Sequence, residues 1–573
     1  MEEQLAKSSP EQRLPLREQL QKLQVERVYY LLIANPREGY EEYKRLTDLA
    51  NRHRQVGFSM RLLDEFLRFY NATLPDRRKL FEVVGITNQQ IIRESAWMWV
   101  ERFDWWSQEE KEIQLAEYIL THPEEFLIMC PDDASICSDE DLAIMGNIYA
   151  FWTGARARIY GYEESTVEKA LAMLARLPSL VTCSLEQALA RARLATAVGF
   201  QYRLGGLLDQ AVEHYVNGKA AFHKLENLED HYEEYTLLLQ SLAIVYAKQG
   251  RMPLARPLAH EALRINEKIG SEYSTGLTLN TLSNIAQMRG NYPKALEYGE
   301  EALAIFRGQS DLRGIALAYL AIARAKRWIA KHEMEKDRRS KFEDAQQMLE
   351  ESRNALEKAL DEAHKANIRS VIPELYAELG RVYRELAQSS IRLQNQEEGF
   401  RYYRQAEQQL LLAFDQASWG VADRANILHD LAEILFELSD QSEAQANLDQ
   451  IETLIGPAHR IIPGQQIPAK DLSKDRFAPL GKVELLKGRN AFKQQQLTDG
   501  MKHYILAYAY FVHFSPDAVE RDNMIEYLYN YMRDVSVDRQ REILDKVRAW
   551  INQVDFGINV WEFVQDIANL LGV

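Results

Sequence analysis

Two asparagine side chains, Asn280 and Asn284, carry the clearest hydrogen-bonding chemistry in this chain of 573 residues. They are four residues apart, so a helix places them on one face. Each carboxamide has donor and acceptor atoms and can pair with the N–H and C=O groups of a peptide backbone. The pair is therefore a candidate for hydrogen bonding to a ligand, and the alternative is an ordinary pair of solvated polar residues.

The sequence lacks the residue patterns of the common catalytic sites. It has no GxxxxGK[ST] phosphate loop, no GxGxxG, no HExxH and no GxSxG. His214, His223 and His231 are spaced nine and eight residues apart, which does not bring them to one helical face. We expect a protein that is not an enzyme, with no catalytic residue, cofactor or metal. An enzyme with an unfamiliar site is the alternative.

Three cysteines are present, Cys130, Cys137 and Cys183, and none belongs to a CxxC pair. This count predicts reduced thiols, with pairing or metal binding of Cys130 and Cys137 as the alternative. The acidic stretch around Cys137 lacks the glycine and the spaced glutamate of an EF-hand calcium loop. We expect Ser138, at the end of that stretch, to cap a helix.

A repeat of 40 residues supplies the elements that position these side chains. Small residues, turn glycines and two further alanines recur at this constant offset, as Ala243 and Ser283, Gly250 and Gly290, Ala255 and Ala295, and Ala262 and Ala302. A small residue lets two helices approach closely, and a glycine ends the first helix in a tight turn. The pattern predicts pairs of helices, with Ala255 and Ala295 buried where helices cross.

This pattern resembles the tetratricopeptide repeat, a pair of antiparallel helices that stacks on its neighbours. Weaker copies on both sides bring the number of units to seven. The first helices of successive repeats line the concave face in that family. The resemblance therefore implies ligand-facing side chains in two adjacent units, Gln240, Ile244 and Lys248 in one and Asn280, Asn284 and Gln287 in the next.

Basic residues in the neighbouring units extend this predicted groove. They are Arg193 and Arg203 before the two central units, and Lys326, Arg381 and Arg384 after them. A basic lining inside an acidic protein selects a partner with carboxylates. The charged run from 331 to 346 lies between these units, and we expect it to extend two helices into a solvated projection.

Composition limits the classes of partner. The net charge of −16 argues against nucleic acid, because neutralising phosphates requires a basic face. No uncharged apolar run approaches the roughly 20 residues that cross a bilayer, and the N-terminal residues do not form a secretion signal. We therefore expect a cytoplasmic protein that binds neither nucleic acid nor membrane, and a content of 46% hydrophobic residues is ample for a core.

The predicted fold is all-α, a right-handed α-solenoid of tetratricopeptide-like hairpins. It begins with an irregular helical region over 1–185, in which helices are expected at 11–34, 37–54 and 57–71. The repeat array covers 186–455, and a linker rich in proline covers 456–480. A last repeat and three capping helices, near 516–533, 536–553 and 558–571, occupy 481–573.

Four tryptophans of the N-terminal region fall within ten residues, at Trp97, Trp99, Trp105 and Trp106. A core where helices of unequal length meet is the expected role of this cluster. A docking patch is the alternative, because tryptophan is enriched at interface hot spots.

The N-terminal stretch ERVYYLLIANPREGYEEYKRLTDLANRHRQ, followed by an irregular repeat array, resembles the sensor region of bacterial signal-transduction ATPases with numerous domains. The leading hypothesis is a cytoplasmic interaction module that binds a protein or peptide in its concave groove. The alternative is a regulatory sensor, similar to those ATPases or to bacterial peptide receptors, that changes shape on binding. A separately encoded effector or ATPase is a possible partner under this alternative.

Overall fold

The computed structural model describes residues 10–52, 56–70, 81, 83–87, 91, 109–126, 128, 137–309, 311–335, 339–365, 368–369, 371–416, 421–455, 474–514, 519–553, 556 and 559–572. Within these ranges there are 23 α-helices and no strand, which confirms the all-α class. The tryptophan cluster, Cys130 and most of the predicted linker lie outside the described residues.

Three helices begin the described chain, and they agree with the three predicted helices to within two residues at each end. They are α1 (Pro10–Ala34), α2 (Pro36–Arg52) and α3 (Val56–Tyr70). The side chain of Asn35 caps α2, since the backbone N–H of Glu38 donates to Asn35 Oδ1 at 3.4 Å. The rings of Tyr43 and Phe66 stack with centroids 4.4 Å apart in a core that these helices share.

The next helices lead into a regular array of hairpins. The irregular part is α4 (Glu109–Thr121), α5 (Asp139–Tyr160) and α6 (Glu164–Arg176). The first helices of the following six hairpins are α7 (Leu185–Leu204), α9 (Tyr232–Lys248), α11 (Glu272–Met288), α13 (Leu312–Glu335), α15 (Ile372–Arg392) and α17 (Val421–Glu437). Their second helices are α8 (Leu208–Phe222), α10 (Met252–Ile269), α12 (Tyr292–Gln309), α14 (Arg339–Lys365), α16 (Gln396–Gln416) and α18 (Gln441–Ile455).

A seventh hairpin and three short helices complete the described chain. They are α19 (Lys474–Lys493) with α20 (Leu497–Phe514), then α21 (Val519–Met532), α22 (Val537–Ile551) and α23 (Trp561–Leu571). The three closing helices pack onto α20 and onto each other, at the positions predicted for the cap. Helix α19 begins at Lys474, inside the stretch that was predicted to be a linker.

The turns after six of the seven first helices each contain a residue with positive φ, and this residue sets the register of the array; after α13 the turn lies outside the described residues, and after α15 the residue is Gln394. Gly206, Gly250 and Gly290 have φ of 70°, 73° and 74° in the first three hairpins. Glycine adopts this left-handed conformation without steric cost, so the predicted turn role of Gly250 and Gly290 is confirmed. Ser439 and Gln495 take the same place after α17 and α19, with φ of 66° and 62°.

Seven residues before each of these turns lies the small residue at which the second helix crosses the first. The small residues are Gly199, Ala243, Ser283, Ala432 and Gly488. Ser283 donates to the carbonyl oxygen of Ala295 at 2.7 Å, and a Cβ added to Gly488 would lie 2.6 Å from the ring of Tyr504. Ala255 and Ala295 are fully buried at such crossings, as the sequence predicted.

The charged run from 331 to 346 extends two helices, but the extension is not a solvated projection. Helix α13 has 24 residues and α14 has 27, and both are longer than the central helices. Met334 and Phe342 in the extension are 3% and 6% exposed. Arg392 of α15 donates to the carbonyl oxygen of Met334 at 2.8 Å. The prediction was wrong because α15 is also long enough to pack against the extension.

Two further expectations are settled among the described residues. Cys137 is disulfide-bonded, whereas Cys183 is a buried free thiol, so the prediction of three reduced thiols was wrong. Sequence spacing does not determine which cysteines the fold brings together.

Ser138 caps α5 as predicted, since its side chain accepts from the backbone N–H of Asp141 at 3.0 Å. None of the helices in the described ranges is long and apolar enough to span a bilayer.

Candidate functional site

The first helices of the hairpins form the inner face of the solenoid. Helices α7, α9, α11, α13, α15, α17 and α19 each contact the next first helix directly, whereas successive second helices make no comparable contact. Because the closer layer of a curved stack lies on its concave side, these helices line the groove. Residues that lie the same number of positions before the positive-φ residue of each turn occupy equivalent positions along the groove.

One position lies six residues before each turn and runs along the floor of the groove. It is occupied by Phe200, Ile244, Asn284, Gln388, Glu433 and Arg489, where Gln388 precedes Gln394 of the turn after α15. The side chains of Phe200, Ile244 and Asn284 are half-buried, which leaves part of each accessible in the groove. The floor therefore changes from apolar through amide to charged from α7 to α19.

The position one helical turn earlier holds Gln240 on α9 and Asn280 on α11. They are 5% and 8% exposed, although both carry polar side chains. Gln240 Oε1 accepts from Thr281 Oγ1 at 3.4 Å, but its Nε2 is buried without a hydrogen-bond partner. Neither amide atom of Asn280 has a partner. An unpaired buried polar group costs about 1–3 kcal/mol, so these two side chains destabilise the unliganded fold.

The remaining predicted residues of these two helices lie nearby. Asn284 follows Asn280 by one turn, and Lys248 is exposed at the end of α9. Gln287 is engaged within the fold, since its Nε2 donates to Ser283 Oγ at 3.3 Å and to the carbonyl oxygen of Ala321 at 3.1 Å. Six of the eleven predicted groove residues thus lie on the adjacent helices α9 and α11.

Arg381 and Arg384 lie on the inner face of α15, but both are paired with carboxylates of α17. Arg381 Nε donates to Asp430 Oδ2 at 2.7 Å. Arg384 Nη1 donates to Asp430 Oδ1 at 2.7 Å and to Glu433 Oε2 at 2.8 Å. Burial alone would raise the pKa of Asp430, but the two guanidinium groups hold that pKa well below its usual range.

The same pairing recurs between the neighbouring first helices. Arg327 of α13 binds Glu378 of α15 at 2.5 Å, and Arg324 binds Glu374 at 3.0 Å. At the far end, Lys493 of α19 binds Glu437 of α17 at 2.6 Å. We call this set the ion-pair belt, and its members are Arg324, Arg327, Glu374, Glu378, Arg381, Arg384, Asp430, Glu433, Glu437, Arg489 and Lys493.

On the other side of the amide residues, the predicted cations are also engaged. Both Nε and Nη2 of Arg193 donate to Glu234 of α9 at 2.6 Å. The guanidinium of Arg203 lies 4.8 Å from the centre of the Phe200 ring. The amides of α9 and α11 therefore lie between paired charges on α7 and the ion-pair belt that begins on α13.

Lys326 lies away from the other predicted residues. It precedes Arg327 by one position and follows Arg324 by two, so it projects from a different side of α13. Its Nζ binds Glu351 of α14 at 2.6 Å. With Leu303, Tyr319 and Ile322 it lines a surface depression of about 340 Å³ between α12 and α14. The sequence-based repeat register was shifted because α13 and α14 are longer than the other helices. In the structure Arg324, and not Lys326, lies on the inner face.

His429, Asp430 and Glu433 bring three possible metal-ligand atoms within 4.8 Å of one another. However, Arg384 donates to both carboxylates at 2.7 and 2.8 Å. A guanidinium group at this distance repels a divalent cation and already occupies the acceptor oxygens. The group is therefore part of the ion-pair belt.

The architecture is that of a helical-repeat solenoid of seven hairpins with a groove on its inner face. Residues 233–308, which fall within α9–α12, match the family model of the tetratricopeptide repeat. The likeness predicted from the 40-residue repeat is thereby confirmed for the two central hairpins. The resemblance to the sensor region of signal-transduction ATPases stays a prediction.

Several solved structures share this architecture with the chain. One is the human IFIT1 dimer with m7Gppp-AAAA, at 13% identity, 92% coverage of this chain, 95% coverage of that chain and a TM-score of 0.45. Another is a Rap protein complexed with competence and sporulation factor, at 13% identity, 64% coverage of this chain, 97% coverage of that chain and a TM-score of 0.37. A third is aspartyl phosphate phosphatase F from Bacillus subtilis, at 11% identity, 76% coverage of this chain, 96% coverage of that chain and a TM-score of 0.40. No curated protein matches the sequence.

Proposed function

We propose that this chain is an interaction module that binds an extended segment of a protein or peptide in its groove, against α9 and α11. The observation that carries the proposal is Asn280, whose buried amide has no hydrogen-bond partner on either atom. The match of 233–308 to the tetratricopeptide repeat supports the same helices as the site.

The amides are suited to a peptide backbone. An extended segment presents N–H and C=O groups with no partner of their own, and the carboxamides of Asn280 and Asn284 offer the complementary atoms. Hydrogen bonds to the ligand would relieve the cost of the buried, unpaired amide of Asn280, and would thereby contribute to affinity. Gln240 Nε2, one repeat away, offers a further donor.

The proposal is tested with a random peptide library displayed on phage and selected on the purified full chain. Peptides that bind are synthesised, and their affinities are measured for the native chain and for an Asn280→Ala/Asn284→Ala variant. We expect the variant to lose affinity about tenfold or more, equivalent to about 1.4 kcal/mol. Asn354→Ala, at an exposed position of α14, is the control and should bind normally. Equal affinity for the native chain and the double variant would move the site elsewhere.

A second function is that of a sensor that changes shape on binding. It is favoured by a gap in the ion pairs that join successive first helices, and this gap lies between α9 and α11. Helices on both sides are joined by short ion pairs, whereas α9 and α11 are joined by the 3.4 Å contact of Gln240 with Thr281. A selected peptide should then change the small-angle scattering profile of the chain. An unchanged scattering profile at a saturating peptide concentration would contradict the sensor function but would be consistent with peptide binding.

A further inference from the structure

The apolar side chains of the groove are accessible at the amide site and on one side of it. Phe200 and Ile244 occupy the floor position on α7 and α9, and both are half-buried. Met288, one turn beyond Asn284 on α11, is 46% exposed. The amides of Asn280 and Asn284 thus lie next to accessible apolar surface.

Arg193, Arg327, Arg381 and Arg384 do not select an acidic ligand, because carboxylates of the fold already pair with them. Lys248, exposed at the end of α9, is outside this set. An incoming carboxylate would have to displace Glu234 from Arg193, or Glu378 from Arg327, at distances of 2.6 and 2.5 Å. Glu378 is fully buried, so displacing its partner would leave an uncompensated charge inside the protein. Breaking a buried ion pair in this way is strongly unfavourable.

The ion-pair belt also limits the extent of the site. From α13 onward each first helix binds the next through side chains that would otherwise face a ligand, such as Arg324 and Arg381. Buried unpaired atoms occur on α15 as well, at Ser389 and Ser390. The buried unpaired amides of Gln240 and Asn280, next to accessible apolar side chains, lie on α9 and α11.

We infer that the ligand of this surface is an extended peptide segment with uncharged, apolar side chains. The inference rests on the proposed function and adds the chemistry of the partner. The backbone of the segment pairs with Asn280 and Asn284, while its aliphatic or aromatic side chains cover Phe200, Ile244 and Met288. Burial of this apolar surface on binding favours association through the hydrophobic effect. The sequence-based expectation of a partner with acidic groups is replaced by a neutral one.

The test uses the composition and the salt dependence of the peptides selected from the phage library on the full chain. We expect enrichment of apolar over acidic residues, and affinities that change little between low and high sodium chloride, since screening weakens only charge pairing. Ile244→Glu and Phe200→Glu should each lower the affinity about tenfold or more. The control is Val216→Glu, at an exposed position of the second helix α8, which should leave affinity unchanged. Circular dichroism confirms that each variant is folded.

The outcomes separate this inference from the proposed function. Selection of acidic peptides that bind less tightly in high salt, and that tolerate Ile244→Glu, would overturn the apolar ligand but retain peptide binding. Selection of no peptide on the folded chain would overturn both. Apolar peptides whose affinity is unaffected by Ile244→Glu and Phe200→Glu would overturn the location on α7 and α9.

Discussion

The two central hairpins, α9–α12, and the helices from α13 onward follow the same repeat but are stabilised in different ways. In the central hairpins the buried apolar side chains form small separate clusters, around Ala243, Leu279 and Ala286. From α13 onward a single apolar cluster extends from Ala316 to Ala568. The buried apolar side chains are therefore more continuous from α13 onward than in the central hairpins.

The two regions also differ in how the polar side chains of their inner faces are paired. The ion-pair belt satisfies its charges between successive helices, whereas Asn280 is buried with no partner at all. Single atoms of the C-terminal hairpins, such as Arg384 Nε and Ser389 Oγ, are also buried without a partner, but there the charged groups are paired between helices. Under the proposed function, the amides of the central hairpins are the groups that bind the ligand.

The largest effect is expected from breaking the ion-pair belt. Glu378→Gln keeps the size of the side chain but leaves Arg324 and Arg327 without their buried carboxylate. Removing one partner of a buried pair costs about 3–5 kcal/mol. The urea midpoint, followed by circular dichroism, should fall accordingly. Glu297→Gln is the control, since Glu297 pairs with Lys294 at the surface and such pairs contribute about 0–1 kcal/mol. Equal effects of the two changes would contradict the role of the belt.

Acid should weaken the ion-pair belt, and also the Arg193–Glu234 pair at the start of α9, more than it weakens α11 and α12, because burial would raise the pKa of Glu234 but Arg193 likewise lowers it. Burial would raise the pKa of Glu378, but Arg327 and Arg324 lower it from 4.5 to about 2. A carboxylate with a depressed folded-state pKa contributes stability above its unfolded pKa, and this contribution is lost as pH falls through the folded value. At about 1.4 kcal/mol per pKa unit, Glu378 loses about 3 kcal/mol between about pH 5 and pH 2.

Hydrogen exchange at pH 6 and pH 3 measures this loss helix by helix. We expect amides of α13, α15 and α17 to lose protection at pH 3, after correction for the intrinsic exchange rate. The Glu378→Gln variant should show a smaller pH effect in these helices. Equal loss in α11 and α12 and in α13, α15 and α17 would contradict a local effect of the belt.

A smaller effect is expected where the repeat packs most tightly in the central hairpins. Ala295→Leu inserts a large side chain at a fully buried helix crossing and should cost about 1–3 kcal/mol through overpacking. Ala304→Leu makes the same change at an exposed position of the same helix, α12, and should be nearly neutral. A neutral effect of Ala295→Leu on the melting temperature would mean that the crossing adapts to larger side chains.

The success of the sequence at Ala295 has a local cause. Small residues, turn glycines and buried alanines recur within one hairpin, so spacing alone locates helix crossings and turns. The three N-terminal helices and the cap were predicted for the same reason, because helical periodicity and breakers such as Pro36 are local signals.

The groove was predicted less completely because its chemistry depends on partners far along the chain. Arg384 and Asp430 are 46 residues apart in sequence and 2.7 Å apart in the fold, and no local pattern shows that pairing. Lys326 was preferred to Arg324 because the lengthened helices α13 and α14 shift the register. Asn280 is 8% exposed, and composition and spacing do not determine this burial.

A change of about 1 kcal/mol is expected from replacing the unpaired amide of Asn280. Asn280→Leu removes a buried polar group of similar size and should stabilise the chain by about that amount, because no hydrogen bond is lost. The same variant should lose affinity for selected peptides. Stability and binding would then change in opposite directions at one position.

Asn266→Leu is the matched control for that prediction. Asn266 is also fully buried, but its amide nitrogen donates to Ser274 and Thr278 and its oxygen accepts from Thr236, at 2.9 to 3.1 Å. We expect this change to destabilise the chain by about 1–3 kcal/mol. A destabilising Asn280→Leu would show that Asn280 has partners in solution and would remove the contrast between the two regions.

The smallest effect is expected at the turns, where the two regions also differ. Gly250 and Gly290 adopt positive φ in the central hairpins, whereas Ser439 adopts φ of 66° after α17. A non-glycine residue in this conformation costs roughly 1–2 kcal/mol, and glycine loses about 0.5–1 kcal/mol more backbone entropy on folding. Ser439→Gly should therefore stabilise the C-terminal hairpins by about 0.5–1 kcal/mol, measured as a higher urea midpoint. Gly250→Ser should have the opposite sign, and a destabilising Ser439→Gly would mean that the serine side chain itself contributes to that turn.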